Sequence, residues 1–344
     1  MKIINHSSES LRSSFLVSLV LAALLSASAQ EVDLSILQPS LKRLDNLPRS
    51  AEDNAKIDLG RRLFYENRLS MDNSISCNSC HDLQRYGVDG EPFSIGFGKV
   101  RVGRNSPTVY NAFMHTTQFW DGRAPTVEEQ AKGPILAGKE MAMPSPAAVV
   151  AKLKGIPEYR DLFKAAFPRD RDPLTYDNVG TAIGAFERLL TTPSRFDSYL
   201  DGNQKSLNTQ ELKGLQAFAR NGCTTCHSGT LIGGQSYQKL GVINPWKNQA
   251  DQGRFEVTKA EADKLVFKVP SLRNIAKTGP YFHDSSARTL DEAVRMMAKH
   301  QLGLDLPNDE VTVLVAFLNS LTGELPKEYI SLKQSGVGKK VSFE

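Results

Sequence analysis

Apolar positions recur at helical spacing in four stretches of the chain. In NTQELKGLQAFARNG, Leu212, Leu215 and Phe218 fall on one face and polar residues fill the rest, the pattern of an amphipathic helix half-sunk in a core. Asn208 precedes this run with Glu211 three residues on, a capping-box start, and Gly222 closes it. AKIDLGRRLFYENRLS carries Ile57, Leu59, Leu63 and Phe64 into a polar turn. RTLDEAVRMMAKHQLG opens on Thr289 with Glu292 and stops at Gly303, and NDEVTVLVAFLNSLTG repeats the plan to Gly323. KLVFKVP is the one short run with strand character, so the pattern predicts a mostly α chain with long loops. The apolar run Phe15–Ala27 differs in kind. It is uncharged, follows Lys2 and Arg12, and ends on the small residues Ala27–Ala29. It is well short of the ~20 residues that span a bilayer. It predicts a secretory signal over residues 1–29, cleaved so that the mature chain begins near Gln30 in the periplasm. An uncleaved tether is the alternative, and no other membrane span is expected.

Composition adds bounds. The 344 residues, 40% hydrophobic and 23% charged, are enough for two domains. A formal net charge of +4 without a Lys/Arg run argues against a nucleic-acid partner. Four cysteines in an exported chain would ordinarily suggest two disulfides, but all four lie in two copies of one pattern, CNSCH (Cys77, Cys80, His81) and CTTCH (Cys223, Cys226, His227). CxxCH is the attachment pattern of c-type haem. The two thiols add to the porphyrin vinyl groups, and the adjacent histidine supplies a nitrogen to the iron. A redox dithiol would need a thioredoxin-like βαβ context, which is absent. A zinc site using both pairs would leave the histidine after each unexplained. Each motif has its own helical surroundings, so two cytochrome c-like haem domains are expected. They cover residues 30–200 and 201–344, divided near the turn-rich TTPSRFDSYLDGNQ.

The sixth position of each iron decides between electron transfer and chemistry. Of six histidines, His6 lies in the signal and His81 and His227 are proximal. That leaves His115, His283 and His300, with Met296 and Met297 on the helix after the second motif. An ordinary helical methionine is a core residue, but a methionine downstream of CxxCH is the usual sixth ligand of an electron-transfer haem.

The segments LGRRLFYENRLS, ISCNSCHDL, GVDGEPFSIG, RNSPTVYNA, QFWDGRAPTVEEQAKGPI, FARNGCTTCHSG, VPSLRNIAKTGPYFHDS and LDEAVRMMAKHQLG resemble, in order, the bacterial dihaem cytochrome c peroxidases. The resemblance implies that Met297 is the sixth ligand of the second, electron-accepting haem. It makes Trp120 the tryptophan between the haems, and Gln130 and Glu140 the polar pair over the first haem, where peroxide is reduced. It also implies a calcium ion bound by the side chain of Asn105 and the backbone carbonyls of Thr278 and Pro280, ligands that suit a hard cation. Hydrogen peroxide would be the substrate, a small periplasmic cytochrome c or cupredoxin the donor, and a homodimer the common assembly. Taken singly, Glu140 would read as a surface charge and Trp120 as core packing.

The chain departs from the family pattern in SIGFGKVRVG. Relatives carry a histidine, which blocks the first haem when oxidised, where this sequence has Phe97. Phenylalanine has no lone pair, so a first haem active without prior reduction is expected, unless Lys99, Met114 or His115 takes the vacated role. The glycines of this loop are no phosphate cradle, because no helix or Lys-Ser/Thr pair follows them; they suggest a pliable flap. Two rival readings remain. A MauG-like enzyme that oxidises a protein partner also lacks the blocking histidine, but carries tyrosine where this chain has Met297. A non-enzymatic dihaem carrier would need six-coordinate iron at both sites.

Overall fold

The computed structural model describes residues 41–44 and 51–330, and the segment read as a secretory signal lies outside them. The first half contains helices α1 (Ala51–Phe64), α2 (Cys77–Cys80), α3 (Val127–Leu136), α4 (Pro146–Lys154), α5 (Pro157–Ala166) and α6 (Tyr176–Glu187). The second contains α7 (Arg195–Leu200), α8 (Thr209–Arg220), α9 (Phe255–Thr258), α10 (Leu290–Met297) and α11 (Asn308–Ser320). Two three-residue strands, β1 (Tyr237–Lys239) and β2 (Val266–Lys268), pair antiparallel with Gln238 opposite Phe267. KLVFKVP supplies β2. Its partner β1 escapes a hydrophobic-pattern reading because two of its three residues are exposed.

The expected helix starts are present. Asn208 accepts from the amides of Gln210 and Glu211 while Glu211 returns the bond to the amide of Asn208, and Thr289 and Glu292 form the same box. Gly222 and Gly303 take left-handed φ values of 80° and 71° after α8 and α10, the conformation a helix-ending glycine adopts without strain.

Each half is built on one crossing pair of helices. α1 meets α6 where a Cβ on Gly60 would lie 1.8 Å from the Ala182 carbonyl oxygen. α8 meets α11 where a Cβ on Gly214 would lie 1.9 Å from that of Val313. Around the first crossing Leu59, Leu63, Phe64, Ile183 and Phe186 are wholly buried, with the Phe64 and Phe186 rings edge-to-face at 5.5 Å. Around the second, Phe317 packs against Phe196 at 5.4 Å and Phe218 at 5.3 Å. Each such side chain stabilises the fold by about 1.5–3 kcal/mol.

Between the pairs runs a strap that occurs twice. Pro107, Asn111, Phe119, Asp121, Ala124, Thr126 and Glu129 recur at constant spacing as Pro270, Asn274, Phe282, Asp284, Ala287, Thr289 and Glu292. The backbone repeats as well. Asn111 and Asn274 both sit in the left-handed region, at φ 61° and 62°, and Phe119 and Phe282 do so at 68° and 72°. The Gln118 amide donates to Ala124 as that of Tyr281 donates to Ala287.

The two copies lock onto each other reciprocally. The Asn105 amide donates to the His283 carbonyl, and its counterpart, the Lys268 amide, donates to the carbonyl of Trp120, each at 2.8 Å. The Asn111 and Asn274 side-chain amides both donate to Thr192 Oγ1, each at 2.8 Å. The strap is therefore related to itself by an approximate internal twofold passing near Thr192.

Candidate haem sites

Cys77 and Cys80 sit on the single turn of α2, whose N-cap Ser76 is fixed by the Ser79 hydroxyl. His81 ends the turn and borders a cavity of about 520 Å³ together with both cysteines. Its Nδ1 donates to the Gly87 carbonyl at 3.4 Å. His227 donates from Nδ1 to the Ile232 carbonyl at 3.3 Å and borders, with Cys223 and Cys226, a second cavity of about 270 Å³. A backbone acceptor at Nδ1 fixes the tautomer whose bare Nε2 can bind a metal. Burial also pushes both imidazoles down, His227 to about 4, which keeps them neutral. All four cysteines are free, and burial pushes the Cys80 and Cys223 thiols up to about 11, unlike redox nucleophiles. Among the described residues there is no group of three or more His, Cys, Asp and Glu side chains that could hold a metal ion. Two thiols, one oriented imidazole and an adjoining cavity at each motif fit covalent haem.

The first cavity has several polar and charged side chains in its lining. Gln130 and Glu140 both border it, as do Arg123 and Trp120. Burial pushes the Glu140 carboxyl above its ordinary range, and the Arg123 guanidinium draws it back down. Arg123 is held over the Phe119 ring at 3.4 Å and pairs with Asp121 at 2.9 Å. Glu187, at the end of α6, borders the same cavity and is raised to about 8 by burial, with Glu128 adding and Arg188 opposing. Sequence reasoning passed over it, because a glutamate near a helix end reads as a surface charge.

The loop holding Phe97 is pinned. Ile95 bridges Arg101, the Phe97 amide donates to the Glu140 carbonyl at 2.7 Å, and the Phe97 ring packs against the core of the first half. Gly96 is needed for close approach, since a Cβ there would lie 1.8 Å from the Lys139 carbonyl oxygen. The pliable flap inferred from the glycines is thus, in this structure, a loop fastened beside Glu140. Neither Lys99, Met114 nor His115 borders the first cavity, and His115 borders the second instead.

The second cavity is mainly apolar. Met297 borders it with His227, while Met296 packs beside Tyr281, Ala287 and Ala293. His300 is tied by Nδ1 to the Asn244 carbonyl at 2.8 Å. His283 borders the cavity with its ring stacked on Phe267 at 4.3 Å and its Nε2 buried without a partner. Across the internal twofold Met297 corresponds to Pro134 of α3, which borders the first cavity. The first site therefore has a prolyl ring where the second has a thioether. Trp120 and His283 are likewise counterparts, and their rings meet edge-to-face at 6.3 Å between the two sites.

Asn105 borders both cavities, and Thr278 and Pro280 border the second. The Asn105 Nδ2 donates to the carbonyls of Glu91 and Pro92. That orientation leaves Oδ1 as the ligand atom a hard cation would use.

Fold and paired haem sites define a dihaem c-type cytochrome of mostly helical architecture. The family model for di-haem cytochrome c peroxidase matches residues 54–205. The chain is 43% identical to cytochrome c551 peroxidase of Pseudomonas aeruginosa, over 88% of each chain. It is 48% identical to cytochrome c551 peroxidase of Nitrosomonas europaea, over 78% of this chain and 80% of the relative. It is also 32% identical to methylamine utilization protein MauG of Methylorubrum extorquens, over 88% and 89%. Among solved structures, a MauG-like protein associated with microbial copper homeostasis superposes with a TM-score of 0.74 at 30% identity, over 85% of this chain and 95% of that one. The chain belongs to the di-haem cytochrome c peroxidase family, and so is an enzyme of the peroxidase class with two haem groups.

Proposed function

We propose that this protein reduces hydrogen peroxide to water at the first cavity, with electrons from a small cytochrome c or cupredoxin entering at the second. The observation that carries the reading is the asymmetry of the two cavities: Glu140 and Gln130 border the first, Met297 the second. Haem iron supplies the redox chemistry that cleaves the O–O bond. The Glu140 carboxylate takes the proton from the near peroxide oxygen and delivers it to the departing one, which leaves as water. Its raised pKa narrows the gap between accepting that proton and giving it up. The Gln130 amide orients peroxide, and the Arg123 charge keeps Glu140 ionised enough to act as base. Trp120, whose indole N–H donates to the Asn105 carbonyl at 2.9 Å and which borders both cavities, would serve as the electron relay. The chemical site would be His81 with an open position, in domain 30–200, and the acceptor site His227 with Met297, in domain 201–344, of a periplasmic protein freed from its signal.

Phe97 supports an enzyme that works without prior reduction. Its ring is engaged in packing and offers no ligand, and Pro134 offers none from α3. Asn105, Thr278 and Pro280 are the proposed calcium ligands; among the described residues no helix is long and apolar enough to cross a membrane. The likeness to MauG and the absent blocking histidine favour a second reading, oxidation of a protein partner, but Met297 suits a haem that accepts electrons.

The test is steady-state peroxide consumption with a reduced small cytochrome. Glu140→Gln should lose about 10²–10⁴-fold in kcat with both haems in place. Unchanged turnover in that variant would remove the acid/base role.

A further inference from the structure

The internal twofold pairs Asn105 with Lys268 and Thr278 with His115. These two proposed calcium ligands, one from each strap copy, thus have a lysine and a histidine as their counterparts in the opposite copies. That pair is buried and in contact: Lys268 is 7% exposed, and its Nζ lies 2.5 Å from His115 Nδ1. The backbone around each is matched. Asn105 and Lys268 make the reciprocal strap bonds, and His115 and Thr278 each end a short 3₁₀ turn, after Ala112–Met114 and Ile275–Lys277.

The protein provides this cation with no dedicated counter-charge. Asp121, the acid that acts on Lys268, is already paired with Arg104 at 2.6 Å and Arg123 at 2.9 Å. His115 Nε2 is buried and has no hydrogen-bond partner. Burial alone pushes Lys268 down to about 7. A buried ammonium is costly unless an anion meets it. Both residues border the second cavity, and the group that fits there, haem, carries two carboxylates.

We propose that Lys268, positioned by His115, is a built-in cation that binds a carboxylate of the haem in the second cavity and favours that haem's reduced state. It stands at the place where its counterpart Asn105 would offer an oxygen to a metal ion. The inference rests on the dihaem reading and extends it. Kept protonated by that carboxylate, the Lys268 ammonium stabilises the extra electron directly, and it holds the carboxylate edge beside Trp120, to whose carbonyl the Lys268 amide is bonded.

The test is an anaerobic potentiometric titration of the purified dihaem protein, each haem followed by its own absorbance, with haem content measured separately. Lys268→Met should shift the reduction equilibrium of the second haem about tenfold toward the oxidised form, which is 59 mV for one electron. Lys268→Arg should stay within twofold of wild type, and the first haem should be unmoved by either change. A second-haem equilibrium in Lys268→Met within twofold of wild type would overturn the proposal. If Lys268→Met does not accumulate with two haems, Lys268→Gln carries the same measurement. Failure of both neutral variants to load, beside normal loading of Lys268→Arg, would show the same need for charge. Failure of Lys268→Arg as well would assign the position to packing and overturn it. A wild-type chain holding one haem would instead remove the dihaem reading.

Discussion

The two haem sites are variations on one scaffold, and their differences are few and local. Both rest on a glycine-mediated helix crossing, an Nδ1-anchored histidine and a strap with a left-handed asparagine. In the rest of their linings they part. The first site has Pro134 on α3 and, past the end of that helix, Glu140; the second has Met297 on α10 and an apolar lining. The proposed division of labour needs no new fold: one cavity is bordered by a thioether, and the other by a prolyl ring at the matching position and a carboxyl.

Pro134 and Phe97 break the comparison most directly. Oxidised wild type should show high-spin iron at the first site by electron paramagnetic resonance. Pro134→Met, which restores the thioether of the sister site, and Phe97→His should each convert that signal to low spin. Either ligand should also cut peroxide turnover of the oxidised enzyme by about 10²-fold or more, the order of loss expected when the reacting group is denied its place. A low-spin wild type would sink the open-site reading.

Next in size is the scaffold itself. Gly60→Ala and Gly214→Ala each press a methyl group against a backbone carbonyl and should each cost about 1–3 kcal/mol by overpacking. Denaturant melts of the haem-loaded protein would measure this. Similar losses would confirm the crossings as equivalent, and a loss confined to one would show that only that crossing is structural.

The smallest effect concerns the charge at Arg123. Glu140 must be ionised to take the peroxide proton, so activity falls as pH drops through its raised pKa. Arg123 lowers that pKa; Arg123→Gln should therefore move the acid limb of kcat/KM to higher pH, while Arg123→Lys leaves it nearly in place. A limb that does not move in Arg123→Gln would detach Arg123 from Glu140.

Much of this molecule was legible in its residues. The CxxCH pairs identify their chemistry because covalent attachment demands fixed residue types at fixed spacing. The helix starts at Asn208 and Thr289 are readable because capping is local. Strand β1 was not, since its exposed residues carry no hydrophobic signal, and the glycines of SIGFGKVRVG suggested freedom where Gly96 in fact permits a tight contact. The strap repeat was present in the sequence throughout, but its identities are scattered and acquire meaning only through matched backbone geometry.

The sequence by itself determined the haem class, the helical plan and the absence of a histidine at Phe97. Tertiary structure alone decided that His115 belongs with Lys268 at the second site. It also decided that Pro134 borders the first cavity as its counterpart Met297 borders the second. The physical reason is range. Caps and attachment motifs are satisfied within a few residues of chain, whereas a buried charge or an open coordination position is defined by neighbours that only folding brings together.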